Sequence, residues 1–275
     1  MSRQHFNELN QKAWNKDSVG KFENPEFIAL SRLSVLKYLS IDGTHSPSEY
    51  RLADVNSAKP KDINNDIWSK TPLKILDFAC GAGNVSLALI DLLPNDFTIT
   101  GLDISNDIVE VYNEKIPSKY GHALGLDLMA DDFGGFKEKD FDIAVCTMSL
   151  HHIPDIGLLA ERIAGTLKVG GWFLVMDFDG HSPHTEQDAK EKGIAHHSLN
   201  AEMISKCFTE AGLGKVIVER GFKYVFGGAD PSWPHGSGHE GKNASEHGND
   251  HHIHLENLTL CVVAGQKTRD DYHVI

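Results

Sequence analysis

Hydrophobic and polar positions follow two different rhythms along this chain. Over the first forty residues, apolar side chains recur at helical spacing, which predicts two amphipathic helices at roughly 4–15 and 25–39. We interpret residues 1–42 as a helical cover and the polar, turn-rich residues 43–72 as a loop. From residue 73 to residue 267, short apolar runs alternate with helical patterns, which predicts one α/β domain.

Seven apolar runs in that domain are predicted strands. They are 75–78, 98–102, 123–125, 143–147, 172–177, 215–219 and 259–265. Helices are predicted to begin near Asn84, Asp107, Gly157 and Asn200. Because no helical pattern separates the last two strands, the last one is expected to run antiparallel. The predicted fold is a doubly wound, seven-stranded, mostly parallel α/β sheet with an antiparallel last strand.

A glycine- and histidine-rich segment interrupts the last pair of strands. Residues 227–255 carry little apolar surface, so we predict a disordered insert, and residues 268–275 form a tail. The six histidines of the insert are irregularly spaced between glycines, unlike the ligands of a structural zinc site, and no metal site is assigned to them.

Composition narrows the class of partner. The chain has 275 residues, of which 40% are hydrophobic, and a formal charge of −13, which argues against general binding to nucleic acid or an anionic membrane. No apolar run approaches the ~20 residues of a membrane span, and the N-terminus lacks the apolar core of a signal peptide. These features predict a soluble cytoplasmic protein, with the nucleus as an open alternative. The four cysteines form no C-x-x-C pair and are expected to be reduced.

The stretch KILDFACGAGNVS predicts a strand, a glycine turn and a helix that together approach a ligand closely. Dinucleotides and S-adenosylmethionine are both held on such turns. Ser86 occupies the third position of the dinucleotide fingerprint, which weakens that interpretation. Asp103, twenty residues after Gly83, suits the ribose of either ligand. Asp77 discriminates between them, because a carboxylate would repel a pyrophosphate and attract an ammonium or sulfonium group.

Three further stretches agree with S-adenosylmethionine. GLDLMADDF places Asp127 and Leu128 after a short strand, where they could contact an adenine ring. FDIAVCTMSLHHIPD is a buried strand that ends in polar residues, and LKVGGWFLVMDFD is a glycine turn followed by another strand. With the D-x-x-C-G-x-G turn and the L-H-H-I-P-D segment, the chain resembles the class I S-adenosylmethionine-dependent methyltransferases. It is similar to the small-molecule type that includes the ubiquinone and menaquinone enzymes.

The resemblance implies a Rossmann-like fold, S-adenosylmethionine as cofactor and transfer of its methyl group to a small-molecule acceptor. The implied cofactor-binding residues are Asp77, Ala79, Gly81, Gly83, Asp103, Ile104, Asp127, Leu128 and Thr147. The motifs assign neither the methylated atom, which is O, N, S or C, nor an oligomeric state.

Two histidine pairs are candidate catalytic groups. His151 and His152 follow the fourth strand, and His196 and His197 precede a helix, so both pairs are expected near the carboxyl edge of the sheet. We take His151, His152 and His197 as candidates to deprotonate a hydroxyl, thiol or amine. The alternative is that these rings only pack and hydrogen-bond beneath a loop.

Three aromatic residues lie in the predicted helical cover. We interpret Trp14, Phe22 and Phe27 as the core of this cover rather than as a substrate platform.

Two other functions remain alternatives to a methyltransferase. One is a nicotinamide-dependent oxidoreductase, and the other is a non-catalytic regulator that binds a cofactor or a metal.

Overall fold

The computed structural model describes residues 3–44, 48–181, 187, 191–225 and 258–269. Within these residues, an eight-stranded sheet carries helices on both faces. Its strands are β1 (Glu49–Arg51), β2 (Leu73–Phe78), β3 (Phe97–Asp103), β4 (Gly121–Gly125), β5 (Phe141–Thr147), β6 (Leu167–Phe178), β9 (Leu213–Val225) and β10 (Leu258–Lys267). A separate antiparallel pair comprises β7 (Gly180–His181) and β8 (Ser198–Leu199).

The helices follow the expected alternation with the strands. They are α1 (Arg3–Ala13), α2 (Val19–Phe22), α3 (Pro25–Ser40), α4 (Leu52–Ser57), α5 (Asn65–Trp68), α6 (Asn84–Leu92), α7 (Asn106–Lys115), α8 (Ile156–Thr166) and α9 (Ala201–Glu210). Short 3₁₀ turns occupy Lys16–Ser18, Phe133–Gly135 and Leu150–His152.

The strand order is β1-β9-β10-β6-β5-β2-β3-β4. The pairs β2–β3, β3–β4, β2–β5 and β5–β6 are parallel, whereas β10 runs antiparallel to both β6 and β9. Chain order reverses at β2, because β3 and β4 extend the sheet on one side and β5 and β6 on the other. Open sheets of this kind bind ligands at the carboxyl ends of the strands beside such a reversal. The predicted doubly wound fold is confirmed.

Apolar side chains point to both faces of the central strands. Ile75 of β2 belongs to the core that contains α3 and α6, whereas its neighbour Leu76 packs on the opposite face with α8 and α9. Val145 and Cys146 of β5 divide in the same way. Because successive strand residues face opposite sides, continuous apolar runs require a layer of helices on each face.

The segment predicted as a polar loop contains regular structure, and this corrects the strand count from seven to eight. β1 pairs in parallel with β9, and α4 and α5 follow it. Val55, Ile67 and Trp68 are buried, and Trp68 Nε1 donates to the carbonyl of Tyr38 at 2.8 Å. These elements span only three to six residues each, which is too short for a hydrophobic period to emerge from the polar background.

The two predicted cover helices differ in burial. α3 contributes Leu30, Leu33, Tyr38 and Leu39 to the core, so it belongs to the body of the domain. α1 buries only Asn10 and lies at the carboxyl edge of the sheet. The structure therefore assigns the covering role to α1 and α2, and corrects the prediction for α3.

The remaining sequence predictions concern the insert, membrane spans and cysteines. The predicted insert at 227–255 lies outside the described residues. In the part of the chain that the structure covers, no helix is long and apolar enough to span a membrane. Cys80, Cys146, Cys207 and Cys261 are free, as expected. Burial raises the pKa of the Cys80, Cys146 and Cys261 thiols, which keeps them protonated.

Trp68 offers a test of the correction to the polar loop. We expect Trp68→Ala to lower the free energy of unfolding by about 3–5 kcal/mol, because it removes a fully buried indole and its hydrogen bond to Tyr38. Urea denaturation followed by circular dichroism measures the change. Ile28→Ala is the control, because that side chain is 43% exposed. Similar stabilities for the two variants would contradict the packing of α5.

Candidate active site

The glycine turn joins β2 to α6 through backbone in the left-handed region. Ala79, Gly81 and Gly83 have φ values of 55°, 51° and 85°. A Cβ atom on Gly81 would lie 2.7 Å from Phe22 Cε1, so the cover approaches the turn closely here. A Cβ on Gly83 would lie 3.0 Å from Tyr112 Cδ2. Gly83 is therefore constrained by its conformation and by packing on α7.

Asp103 ends β3 and holds the glycine turn. Its Oδ2 accepts from the Gly81 N–H at 3.0 Å, and its Oδ1 accepts from the Ser105 N–H at 3.0 Å. Burial raises the pKa of Asp103, and the two backbone hydrogen bonds oppose that shift. Each carboxylate oxygen has a second lone pair, so Asp103 can also accept from a ligand in the adjoining cavity.

Asp77 lies beneath the turn. The side chain is 1% exposed, and Ser86 donates to its Oδ2 at 2.7 Å. The Ser86 hydroxyl also lies 2.8 Å from the Tyr112 hydroxyl, so α6 and α7 meet at this carboxylate. Burial raises the pKa of Asp77 to about 7. The structure places this predicted cofactor residue behind the cavity wall, where it supports the turn.

Asp127 and Leu128 follow β4 and meet α1. Asp127 Oδ1 accepts from the Met129 N–H at 2.8 Å, and Oδ2 accepts from Asn7 Nδ2 at 2.6 Å. Leu128 is 1% exposed. Farther along α1, Gln11 donates to the carbonyl of Ile104 at 3.2 Å. The cover therefore follows the ends of β4 and β3 in turn.

The end of β5 is tied to α3. Tyr38 donates from its hydroxyl to the Cys146 carbonyl at 3.0 Å, and its oxygen lies 2.8 Å from Thr147 Oγ1. Because the Tyr38 proton is directed at the carbonyl, Thr147 donates to Tyr38. The Thr147 hydroxyl is thus oriented from below the cavity.

His151 and His152 have different surroundings although they are adjacent. His151 is 3% exposed, and its Nδ1 lies 2.9 Å from Asp177 Oδ1 at the end of β6. The backbone N–H groups of Leu150 and His151 also donate to Asp177. His151 therefore anchors the loop after β5, and this catalytic candidate is not among the residues that line the cavity.

His152 does line the cavity. Its Nδ1 lies 3.1 Å from the carbonyl oxygen of Lys192 and 3.2 Å from that of Gly193. Carbonyl oxygens only accept, so Nδ1 carries a proton, and in the neutral ring Nε2 holds the lone pair. The ring of Trp14 packs edge-on against His152, with centroids 6.1 Å apart.

The second histidine pair lies outside the cavity. His196 Nε2 is 2.8 Å from the carbonyl oxygen of Ile153, so this ring fastens the 192–196 segment to the loop after β5. His197 is exposed and does not line the cavity.

One cavity of about 190 Å³ collects most of the predicted site at the carboxyl edge of the sheet. It is lined by the predicted cofactor residues Ala79, Gly81, Asp103, Ile104, Asp127, Leu128 and Thr147, and by His152. Trp14 and Phe22, which were predicted as part of the core of the cover, line the cavity from the cover, and Phe27 lines it from α3. In the part of the chain that the structure describes, no group of three or more metal-ligating side chains occurs.

Several residues of the cavity escaped the sequence predictions. Three of them lie in the cover, where polar residues usually indicate a helix face exposed to solvent: Asn7, Asn10 and Lys21. Asp177, near the end of a predicted strand, accepts hydrogen bonds from the loop that carries His152, a role that the sequence analysis did not predict. The available signal was its place near the carboxyl end of a strand, as for Asp77 and Asp103.

Residues 52–225 match a family model described as a methyltransferase domain. The chain belongs to this methyltransferase family. It is 32% identical to an uncharacterized methyltransferase of Schizosaccharomyces pombe over 76% of this chain and 80% of that one. Since the family is shown together with a doubly wound sheet, the chain is a class I methyltransferase and depends on S-adenosylmethionine. The predicted enzyme class and cofactor are confirmed, and the oxidoreductase alternative disagrees with the family.

Other relatives match shorter stretches. The ubiquinone biosynthesis O-methyltransferase of Hydrogenovibrio crunogenus is 30% identical over 36% of this chain and 39% of that enzyme. Among solved structures, Haemonchus contortus phosphoethanolamine N-methyltransferase 2 superposes with a TM-score of 0.60 at 15% identity. That match covers 98% of this methyltransferase and 61% of the solved chain, and it shows a shared fold.

Asp77 predicts a pH dependence of stability. Its pKa is 3.8 in an unfolded chain and about 7 here, so the folded state binds this proton more tightly. The stabilisation that comes from this tighter proton binding is complete below about pH 4 and is lost as pH rises to about 7. From pH 5 to pH 8, the free energy of unfolding of wild type should therefore fall relative to that of Asp77→Asn by on the order of 2 kcal/mol.

Urea denaturation at both pH values measures this difference. Asp62→Asn, which neutralises an exposed carboxylate, is the control and should follow wild type. Parallel pH profiles for Asp77→Asn and wild type would show that Asp77 is charged at no cost in the folded protein.

Proposed function

We propose that this methyltransferase methylates a small molecule enclosed between the α1–α2 cover and the carboxyl edge of the sheet. The observation that carries the proposal is the cavity itself. It brings the strand-end residues Asp103 and Asp127 together with His152 in one cavity that aromatic side chains also line. An acceptor that enters beneath this cover must be small or present a narrow end.

The cavity offers suitable contacts for the nucleoside part of S-adenosylmethionine. Asp103 retains lone pairs that can accept from ribose hydroxyls. Ile104 and Leu128 provide apolar surface for the base, and Asp127 provides an acceptor beside it. Asn10 is 8% exposed, and its Oδ1 has no hydrogen-bond partner among the described residues. A buried acceptor in a cavity wall favours a ligand with N–H or O–H donors, which a nucleoside has.

The protein's contribution to methyl transfer is mainly positioning. Bound S-adenosylmethionine supplies a methyl group that is already activated by the sulfonium charge. Trp14 and Phe22 exclude water from above, and Thr147 presents an oriented hydroxyl from below. His152 Nε2 can take a proton from an acceptor that must be deprotonated. Proximity and orientation of this kind can supply most of the rate enhancement of a two-substrate reaction.

The same proposal extends to the acceptor's chemical class and to the enzyme's location in the cell. A net charge of −13 disfavours nucleic acid as the acceptor, and a small molecule needs no extended binding surface. We propose a cytoplasmic enzyme that acts on a metabolite. Incubation with methyl-labelled S-adenosylmethionine and a cell extract, followed by separation of small molecules from macromolecules, tests this. Label that appears only in protein or nucleic acid would contradict a small-molecule acceptor.

Asp103→Ala tests the cofactor site. We expect the dissociation constant for S-adenosylhomocysteine to rise at least roughly tenfold, because charge-assisted hydrogen bonds contribute about 1.5–3 kcal/mol each. Isothermal calorimetry measures the binding, and thermal denaturation reports how much the Gly81 turn loosens. Asp62→Ala is the control, since that carboxylate is exposed. An unchanged dissociation constant in a folded Asp103→Ala variant would remove Asp103 from the site.

His152→Gln tests proton removal. We expect methyl incorporation into extract metabolites to fall by roughly a hundredfold, if the acceptor is a neutral hydroxyl, thiol or amine, with S-adenosylhomocysteine affinity unchanged. His197→Gln is the matched control and should keep wild-type activity, because His197 is exposed outside the cavity. Full activity in His152→Gln would show that the acceptor needs no base at this position.

A further inference from the structure

Asn10 is the one buried residue of α1, and it lines the cavity. Its side chain is 8% exposed, and its Oδ1 has no hydrogen-bond partner in the described part of the chain. A buried carbonyl oxygen without a donor destabilises a folded protein, and nearly all such oxygens have a partner. The oxygen of Asn10 therefore marks a position where a bound molecule can supply the missing N–H or O–H group.

Gly193 is a neighbour of both Asn10 and His152. A Cβ atom on Gly193 would lie 3.1 Å from Asn10 Nδ2, so the missing side chain lets α1 approach this segment closely. The carbonyl oxygen of Gly193 lies 3.2 Å from His152 Nδ1. Asn10 and His152 are therefore held against the same short segment, and both line the cavity.

Trp14 connects the same two residues from the cover. Its backbone N–H donates to the Asn10 carbonyl at 2.9 Å, so Asn10 and Trp14 lie one helical turn apart on one face. The Trp14 ring packs edge-on against His152, with centroids 6.1 Å apart. This face of the cover is therefore directed at the His152 side of the cavity.

A neighbouring row of α1 follows the ends of β4 and β3 instead. Asn7 donates to Asp127, and Gln11 donates to the carbonyl of Ile104. In the proposed function, carboxylates at these strand ends accept from the nucleoside. The oxygen of Asn10 therefore remains for the second ligand of the cavity, which is the methyl acceptor.

We propose that Asn10 Oδ1 accepts a hydrogen bond from the methyl acceptor, which carries an N–H or O–H group besides the group that is methylated. This inference rests on the proposed function, which places the reacting group of the acceptor beside His152. The chemical class is a small molecule with two polar groups, such as a diol or an amino alcohol. A buried oxygen that needs a donor rejects an analogue without one, so Asn10 determines specificity.

Asn10→Leu tests the hydrogen bond by removing the oxygen. Labelling of the main methylated metabolite, measured over a dilution series of cell extract with saturating methyl-labelled S-adenosylmethionine, gives the extract concentration at half-maximal rate. We expect that concentration to rise roughly tenfold or more, because the donor of the acceptor loses its partner. The dissociation constant for S-adenosylhomocysteine, measured by calorimetry, should stay unchanged.

Two further variants separate the oxygen from the shape of the side chain. Asn10→Asp keeps an oxygen acceptor in the same position and should retain most of the affinity for the methyl acceptor. Gln4→Leu makes the same amide-to-leucine change at an exposed position of α1 outside the cavity, so it is the matched control and should follow wild type.

The labelled product gives a second, independent readout. After chromatographic isolation, mass spectrometry in deuterated solvent counts the exchangeable hydrogens of its N–H and O–H groups. We expect the product to retain such a hydrogen, because the group that Asn10 binds is not the group that is methylated. A product without exchangeable hydrogens would overturn the proposal.

Three results with the variants would also overturn it. An unchanged half-saturating concentration in Asn10→Leu would show that the acceptor does not use this oxygen. Weaker binding of S-adenosylhomocysteine would assign the oxygen to the cofactor, and loss of folding in both Asn10 variants would assign it to the fold. Failure of wild type to label any small molecule, or an unchanged affinity in Asp103→Ala, would instead contradict the proposed function.

Discussion

Carboxylates at the carboxyl ends of the strands hold the loops that form the cavity. Asp103 at the end of β3 accepts from the turn after β2, and Asp177 near the end of β6 accepts from the loop after β5. Asp127 after β4 accepts from its own loop and from α1. Loop backbone at a buried edge needs acceptors for its N–H groups, and these side chains supply them. These carboxylates add to the backbone hydrogen bonds that hold the glycine turn and the His152 loop, such as those from Cys80 N–H to Leu102 and from Met148 N–H to Met176.

This arrangement gives the same residues structural and binding roles. Asp103 fixes the Gly81 turn with one lone pair on an oxygen and keeps another for a ligand. The cost is the burial of negative charge, which raises the pKa of both Asp77 and Asp103. A cofactor that brings donors to Asp103 restores part of the solvation that burial removes. Stability and cofactor binding are therefore coupled through the strand ends.

The sequence predicted those parts that depend on local signals. Glycines beside an apolar run identify the turn at Gly81, and the alternation of runs and helical patterns predicts the doubly wound sheet. Local signals cannot separate His151 from His152, since neighbouring positions in a short turn face different directions and only the tertiary contact to Asp177 decides. Local signals also could not identify Lys21 as a cavity residue. A lysine in a polar helical segment lines a cavity only when its helix folds over a turn that is distant in sequence.

The cover links the parts of the site that are separate in sequence. α3 is fixed in the core, whereas α1 buries only Asn10 and is held by polar contacts to Asp127, Ile104 and Asp131. Hydrogen bonds of this kind contribute about 0.5–1.5 kcal/mol each, far less than the burial of a core helix. We therefore expect α1 to open more easily than the sheet or α3. A ligand that contacts both the strand ends and the cover adds to those few bonds, so the cavity closes most firmly when it is filled.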